Sequence, residues 1–210
     1  LSAYYDTGPF PGFLSKYPKE FVFAMSRYLD VPIQDIHHEQ IETLTEVRLE
    51  GYSSAIFVST LRHLTNLQEI TLTNTQISDL EPLRHLANLR ILNIESTEVS
   101  DLTPLQSLTN LRELEISNTP VSALEPLRHL TNLQVLNLNF TQVSDLTPLK
   151  GLRLRRLIFT PSRIKTGLEI ARTMPSLGEI GTTREFTAMG DAVNVASRLQ
   201  NSAPPGGVLI

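Results

Sequence analysis

The sequence predicts an α/β solenoid: a right-handed coil of short parallel strands, one per repeating unit, closed by helical caps and followed by a small strand-helix-strand segment. Two observations carry this expectation. Leu64, Leu86, Leu108, Leu130 and Leu152 stand 22 residues apart. Around them one phrase returns four times, LxxLxxLxLxxTxVSxLxPLxx, with Ile at several Leu positions. A fixed period of this length marks units that stack on one another rather than fold alone.

Each element follows in order. Residues 1–19, rich in aromatics, Gly and Pro, read as a lead-in. Residues 20–40 read as an N-terminal helical cap, because Phe21, Ala24, Met25 and Tyr28 recur at helical spacing. The repeats occupy residues 41–160. An opening unit, Ile41-x-x-Leu44-x-x-Val47-x-Leu49, runs into a looser stretch ending at His63. In the first full unit, Glu69-Ile70-Thr71-Leu72-Thr73 alternates with period two, as a half-buried strand must. Ile77, Leu80 and Leu83 then bring the chain back along the opposite wall. Asp79 stands where it can cap the amides of a Glu-Pro-Leu turn, with Pro82 in a first helical turn. Thr75, Thr97, Thr119 and Thr141 hold one position in every unit, and their hydroxyls are expected to bond the turn backbone. Stacking buries the leucines of neighbouring units against one another, at about 1.5–3 kcal/mol per fully covered side chain. "LRLRRLIFT" drops one residue from the period yet keeps Leu154, Leu157 and Phe159. Residues 161–181 offer Ile164, Leu168, Ile170 and Ala171 as a closing helix, the C-terminal cap.

These units resemble the leucine-rich repeats of bacterial proteins, most closely the short type found in internalins. The resemblance implies a curved solenoid whose concave strand face binds a protein or peptide. The x-Leu-x-Leu-x register puts Glu46, Arg48 and Glu50 on that face from the opening unit. Glu69, Thr71 and Thr73 follow, then Ile91, Asn93 and Glu95, then Glu113, Glu115 and Ser117. The fourth unit adds Val135, Asn137 and Asn139, and the last adds Arg156, Ile158 and Thr160. Glu46, Glu50, Glu69, Glu95, Glu113 and Glu115 face only Arg48 across the first four rows, and Ile91 and Val135 supply apolar footholds. The expected partner is therefore a basic peptide or protein surface. The plainer alternative is an ordinary solvated sheet face.

Composition narrows the remaining classes. The chain has 210 residues with a net charge of −4, which gives no basic face for non-specific nucleic-acid binding. It has no cysteine, so disulfides and thiolate metal sites are excluded. No apolar run approaches the roughly 20 residues of a membrane span. The chain opens at Leu1 without a secretion signal, so it is expected to be cytoplasmic and cut from something longer. The sequon Asn139-Phe140-Thr141 therefore carries little meaning. The histidines of the Arg62-His63, Arg84-His85 and Arg128-His129 pairs follow the repeat and are expected to be solvated, not metal ligands.

Residues 182–210 belong to another pattern. Gly190-Asp191-Ala192-Val193-Asn194-Val195-Ala196-Ser197-Arg198-Leu199 resembles the signature in the second half of class III adenylate/guanylate cyclase catalytic domains. Asp191 can cap a helix in which Asn194 and Arg198, four apart, share one face. The resemblance implies that Asn194 and Arg198 occupy catalytic, transition-state-binding positions and that Thr187 occupies a purine-binding one. It also implies two divalent ions, Mg or Mn, held by aspartates from the first half of that domain. No segment here matches the second metal-binding stretch; Tyr5-Asp6-Thr7-Gly8-Pro9-Phe10 resembles the first only faintly and is read as chance. No cofactor is therefore expected for this chain and no cyclase activity. The expected function is a leucine-rich-repeat interaction module fused to a truncated cyclase segment. The alternative is a fragment of a signalling adenylate/guanylate cyclase whose repeats are regulatory.

Overall fold

The computed structural model describes residues 17, 19–32, 35–50, 55–177, 179–182 and 208–209. One parallel sheet runs the length of the molecule, its strands in sequence order from β1 to β8. They are β1 (Glu46–Arg48), β2 (Glu69–Thr71), β3 (Ile91–Asn93), β4 (Glu113–Glu115), β5 (Val135–Leu138), β6 (Arg156–Phe159), β7 (Glu179–Thr182) and β8 (Val208–Leu209). The register is regular: Glu69 pairs with Ile91, Ile91 with Glu113 and Glu113 with Val135, a constant step of 22 residues. The step falls to 21 from Val135 to Arg156, where the sequence drops one residue. Strands in this order, joined by short returns, form the repeat solenoid that the period predicts.

The return wall is built from 3₁₀ turns at Glu81–Leu83, Thr103–Leu105, Glu125–Leu127 and Thr147–Leu149, each with proline second. Proline fits there because its fixed φ suits the first turn and its missing N–H has no partner to lose. Asp79, Asp101 and Asp145 each accept the amide N–H two residues on, at 2.8 Å. Leu83, Leu105, Leu127 and Leu149 are fully buried, and one continuous apolar core runs from Tyr17 to Leu177.

The ends depart from the repeat. Helix α1 (Lys19–Leu29) buries Phe21 and Met25, and Tyr17 stacks on Phe21 with ring centres 5.2 Å apart. After the short helix α2 (His38–Glu42) and β1 comes α3 (Ala55–Leu61), where the sequence suggested only a loose stretch. Val58 and Leu61 of α3 are buried, and α3 packs against both α1 and the first 3₁₀ turn. The opening unit therefore returns through an α-helix, which lengthens its step to 23 residues, from Glu46 to Glu69. At the far end α4 (Leu168–Thr173) packs on the Thr147–Leu149 turn, and the sheet continues into β7.

Candidate functional site

The strand register gathers the outward residues into two rows across the sheet. Glu46, Glu69, Ile91, Glu113, Val135 and Arg156 form one, each paired with the next. Arg48, Thr71, Asn93, Glu115, Asn137 and Ile158 form the other. Successive strands lie about 4.8 Å apart, so neighbours in a row can share one ligand. Ile91 and Val135 are half-buried, flanking the exposed Glu113.

The acidity is not uniform along the rows. Arg48 donates to Glu69 at 2.9 Å and also to Glu46, so the first two carboxylates share one cation that offsets half of their charge. Glu95 follows β3 and Glu113 and Glu115 lie on β4, two and three strands from Arg48, or roughly 10 and 14 Å at the usual spacing. Glu115 is the most enclosed: burial pushes its carboxyl above the usual range, opposed by hydrogen bonding from Asn137 and the Arg156 charge, and reinforced by Glu95 and Glu113. The site thus has an anionic centre at Glu95, Glu113 and Glu115, bounded by Arg48 and Arg156. Glu50 is exposed just beyond β1, at the margin of this centre.

Three positions assigned to this face from sequence are not on it. Thr73, Ser117 and Thr160 are buried, at 9%, 5% and 7% exposure. Strand pairing in β2 and β4 ends at Thr71 and Glu115, and the chain then turns through a left-handed residue, Asn74 or Asn118. The outward position just before the left-handed residue is therefore covered in these two units, whereas its equivalent Glu95 stays exposed. Thr160 is held inward by its own bonds: its hydroxyl donates to Asn139 Oδ1 at 3.0 Å and accepts the Phe140 N–H at 2.9 Å.

Two structural ladders support the rows. The hydroxyls of Thr75, Thr97, Thr119 and Thr141 each donate to the backbone carbonyl three residues back, at 2.7–2.8 Å. Sequence reasoning missed the second: the side-chain amides of Asn66, Asn88, Asn110 and Asn132 donate to backbone carbonyls of the preceding unit at 2.8–3.0 Å. Their recurrence in L-x-N-L was the available signal. His63, His85 and His129 are exposed, as the repeat implied. Among the described residues no cluster could hold a metal ion, and no helix is long and apolar enough to cross a membrane. Thr187, Asn194 and Arg198 lie outside the described residues.

Comparison with known proteins agrees with this geometry. Residues 65–107 and 109–151 match the family described as Leucine Rich repeats (2 copies). The structure is similar to internalin C2 of Listeria monocytogenes, with a TM-score of 0.68 at 20% identity over 78% of this chain and 73% of that one. It is similar to a second internalin of that organism, inlF, with a TM-score of 0.62 at 20% identity over 80% of this chain and 64% of that one. It is also similar to a leucine-rich-repeat protein of Leptospira interrogans, with a TM-score of 0.53 at 20% identity over 70% of this chain and 46% of that one. No curated protein matches the chain. The repeats are leucine-rich repeats, and the fold is shared with internalins.

Proposed function

We propose that the chain is a protein-interaction module whose concave sheet face binds a basic peptide or protein surface. The observation that carries this reading is the carboxylate group Glu95, Glu113 and Glu115, only partly offset by Arg156, set beside Ile91 and Val135 on a parallel sheet. Exposed carboxylates steer a cationic partner to the face, and the apolar pair adds area once water is expelled. Glu46 and Glu69 are the weaker part of this reading, because both already bond Arg48.

The test is calorimetric titration with a synthetic peptide alternating Lys and Leu. Wild type should bind, and binding should weaken with salt as exposed charges are screened. Glu95→Lys with Glu113→Lys should abolish binding, whereas Glu69→Lys alone should cost less. Salt-independent binding, or binding unchanged in the double variant, would overturn the reading.

The signature from Gly190 to Leu199 supports a second statement, that residues 182–210 are a truncated class III cyclase segment. The reading without activity rests on the missing metal-binding aspartates, since in-line attack on an α-phosphate needs charge neutralisation by metal ions. The purified chain should form no cyclic nucleotide from ATP or GTP with Mg²⁺ or Mn²⁺. Turnover that disappears in Arg198→Ala would instead favour the regulatory-array reading, with the repeats serving a cyclase.

A further inference from the structure

Phe140 is exceptional on two independent counts. It is the only large apolar side chain exposed among the described residues, at 45%. It also holds a left-handed backbone, φ 55°, at the position that the preceding units fill with Asn74, Ser96 and Asn118. Asn tolerates that conformation because its short side chain bonds locally, whereas an aromatic residue is strained there. At 45% exposure the ring is only partly covered by the fold, and the bond that holds this backbone, from the Phe140 N–H to Thr160 Oγ1 at 2.9 Å, does not require an aromatic side chain. Strain of this kind, held by a rigid surround, points to a binding role.

Phe140 stands in a groove of about 380 Å³ that runs along the solenoid beyond the ends of the strands. Glu98 lies at one end, in the β3 unit, and Arg163 at the other, after β6. Pro120 and Phe140 form the apolar stretch between them, with Gln142 beside them and Asn118 donating through Nδ2 to Ser96 Oγ at 3.0 Å across the groove wall. Neither Glu98 nor Arg163 has an ion-pair partner among the described residues. Three strand spacings separate the two ends, on the order of 15 Å, or four to five extended residues.

We infer that this groove binds an extended peptide carrying an aromatic residue between a cationic and an anionic side chain. The cation meets Glu98, the aromatic residue stacks on Phe140 against Pro120, and the anion meets Arg163. Aromatic pairs of this kind are common centres of binding energy. The surface is separate from the strand rows, so it stands or falls apart from the concave-face reading.

The test uses a synthetic peptide with the core Lys-Gly-Trp-Gly-Glu. The protein contains no Trp, so indole fluorescence reports the peptide alone. Wild type should give a saturable spectral shift. Phe140→Asn should weaken binding at least tenfold while the thermal midpoint stays level or rises, because Asn is the residue of the neighbouring unit. Arg163→Glu should also weaken it, and Glu95→Lys with Glu113→Lys should leave it unchanged. No saturable shift with wild type, equal binding by Phe140→Asn, or a lowered midpoint in that variant would overturn the proposal.

Discussion

The Thr119 hydroxyl donates to the Ile116 carbonyl oxygen at 2.7 Å, beneath a turn where Thr119 is 3% exposed. Asn118, one residue earlier, holds a left-handed φ of 54°. The bond ties the end of the unit back onto its own strand across that turn. The same bond recurs in all four full units, so the ladder acts as a row of internal staples.

Thr119→Val keeps the side-chain volume but removes the donor. A buried carbonyl that loses its partner costs about 1–2 kcal/mol, and the variant should show that loss in urea unfolding. Thr131→Val, at an exposed site, should stay within about 0.5 kcal/mol of wild type. Equal stability of the two variants would mean the Thr119 bond is replaced by another.

Much of this architecture was legible because stacking repeats one solution: the leucines, prolines and buried threonines had to recur in step. The parts that escaped have specific causes. Helix α3 begins at Ala55 and runs through Ile56, Phe57 and Val58, an apolar β-branched and aromatic stretch whose composition argues for a strand as readily as a helix. The Asn ladder escaped because each partner carbonyl lies 23 or 24 residues away, and an exposed Asn reads locally as surface. Thr73, Ser117 and Thr160 were misplaced because alternation was carried past the last paired residues, Thr71, Glu115 and Phe159. The left-handed turn is visible at Asn74 and Asn118, which favour it, and invisible at Ser96 and Phe140, which do not. The anionic centre was half legible: the carboxylates were evident, but the pairing of Arg48 with Glu46 and Glu69 required the register.

Gly167 and Gly151 offer a contrast in how a glycine is used. Both have positive φ, 80° and 92°. At Gly167 an added Cβ would lie 2.6 Å from the Thr147 backbone nitrogen and 2.8 Å from the Leu146 carbonyl carbon, whereas at Gly151 it would meet nothing within 4 Å. Gly167 opens α4 where Lys165 and Thr166 donate to the Ser144 carbonyl, so the close approach docks the last helix onto the fourth unit. Gly151→Ala should cost only the left-handed penalty, about 1–2 kcal/mol. Gly167→Ala should cost clearly more, because backbone must also move. Chemical denaturation of both variants checks the order, and an equal loss would show that the cap yields freely.

Glu115 makes the candidate site sensitive to pH. Its carboxyl is raised above 4.5, chiefly by burial, so the folded chain binds that proton more tightly than the unfolded chain does. The sign follows from linkage: the favourable contribution is complete below the ordinary value of 4.5 and is lost as pH rises through the folded value. At neutral pH the ionised group therefore opposes folding, and Glu115→Gln should be more stable than wild type there. That advantage should shrink as pH falls towards 4.5, where wild type carries the neutral acid. The same asymmetry reaches binding. A cationic partner on the face favours the carboxylate, lowering the Glu115 value and expelling its proton. Just above pH 4.5, docking of the Lys/Leu peptide should release protons, seen as a binding enthalpy that changes with the ionisation enthalpy of the buffer. Glu115→Gln should reduce that dependence, and the same dependence in both proteins would assign the released proton to another group.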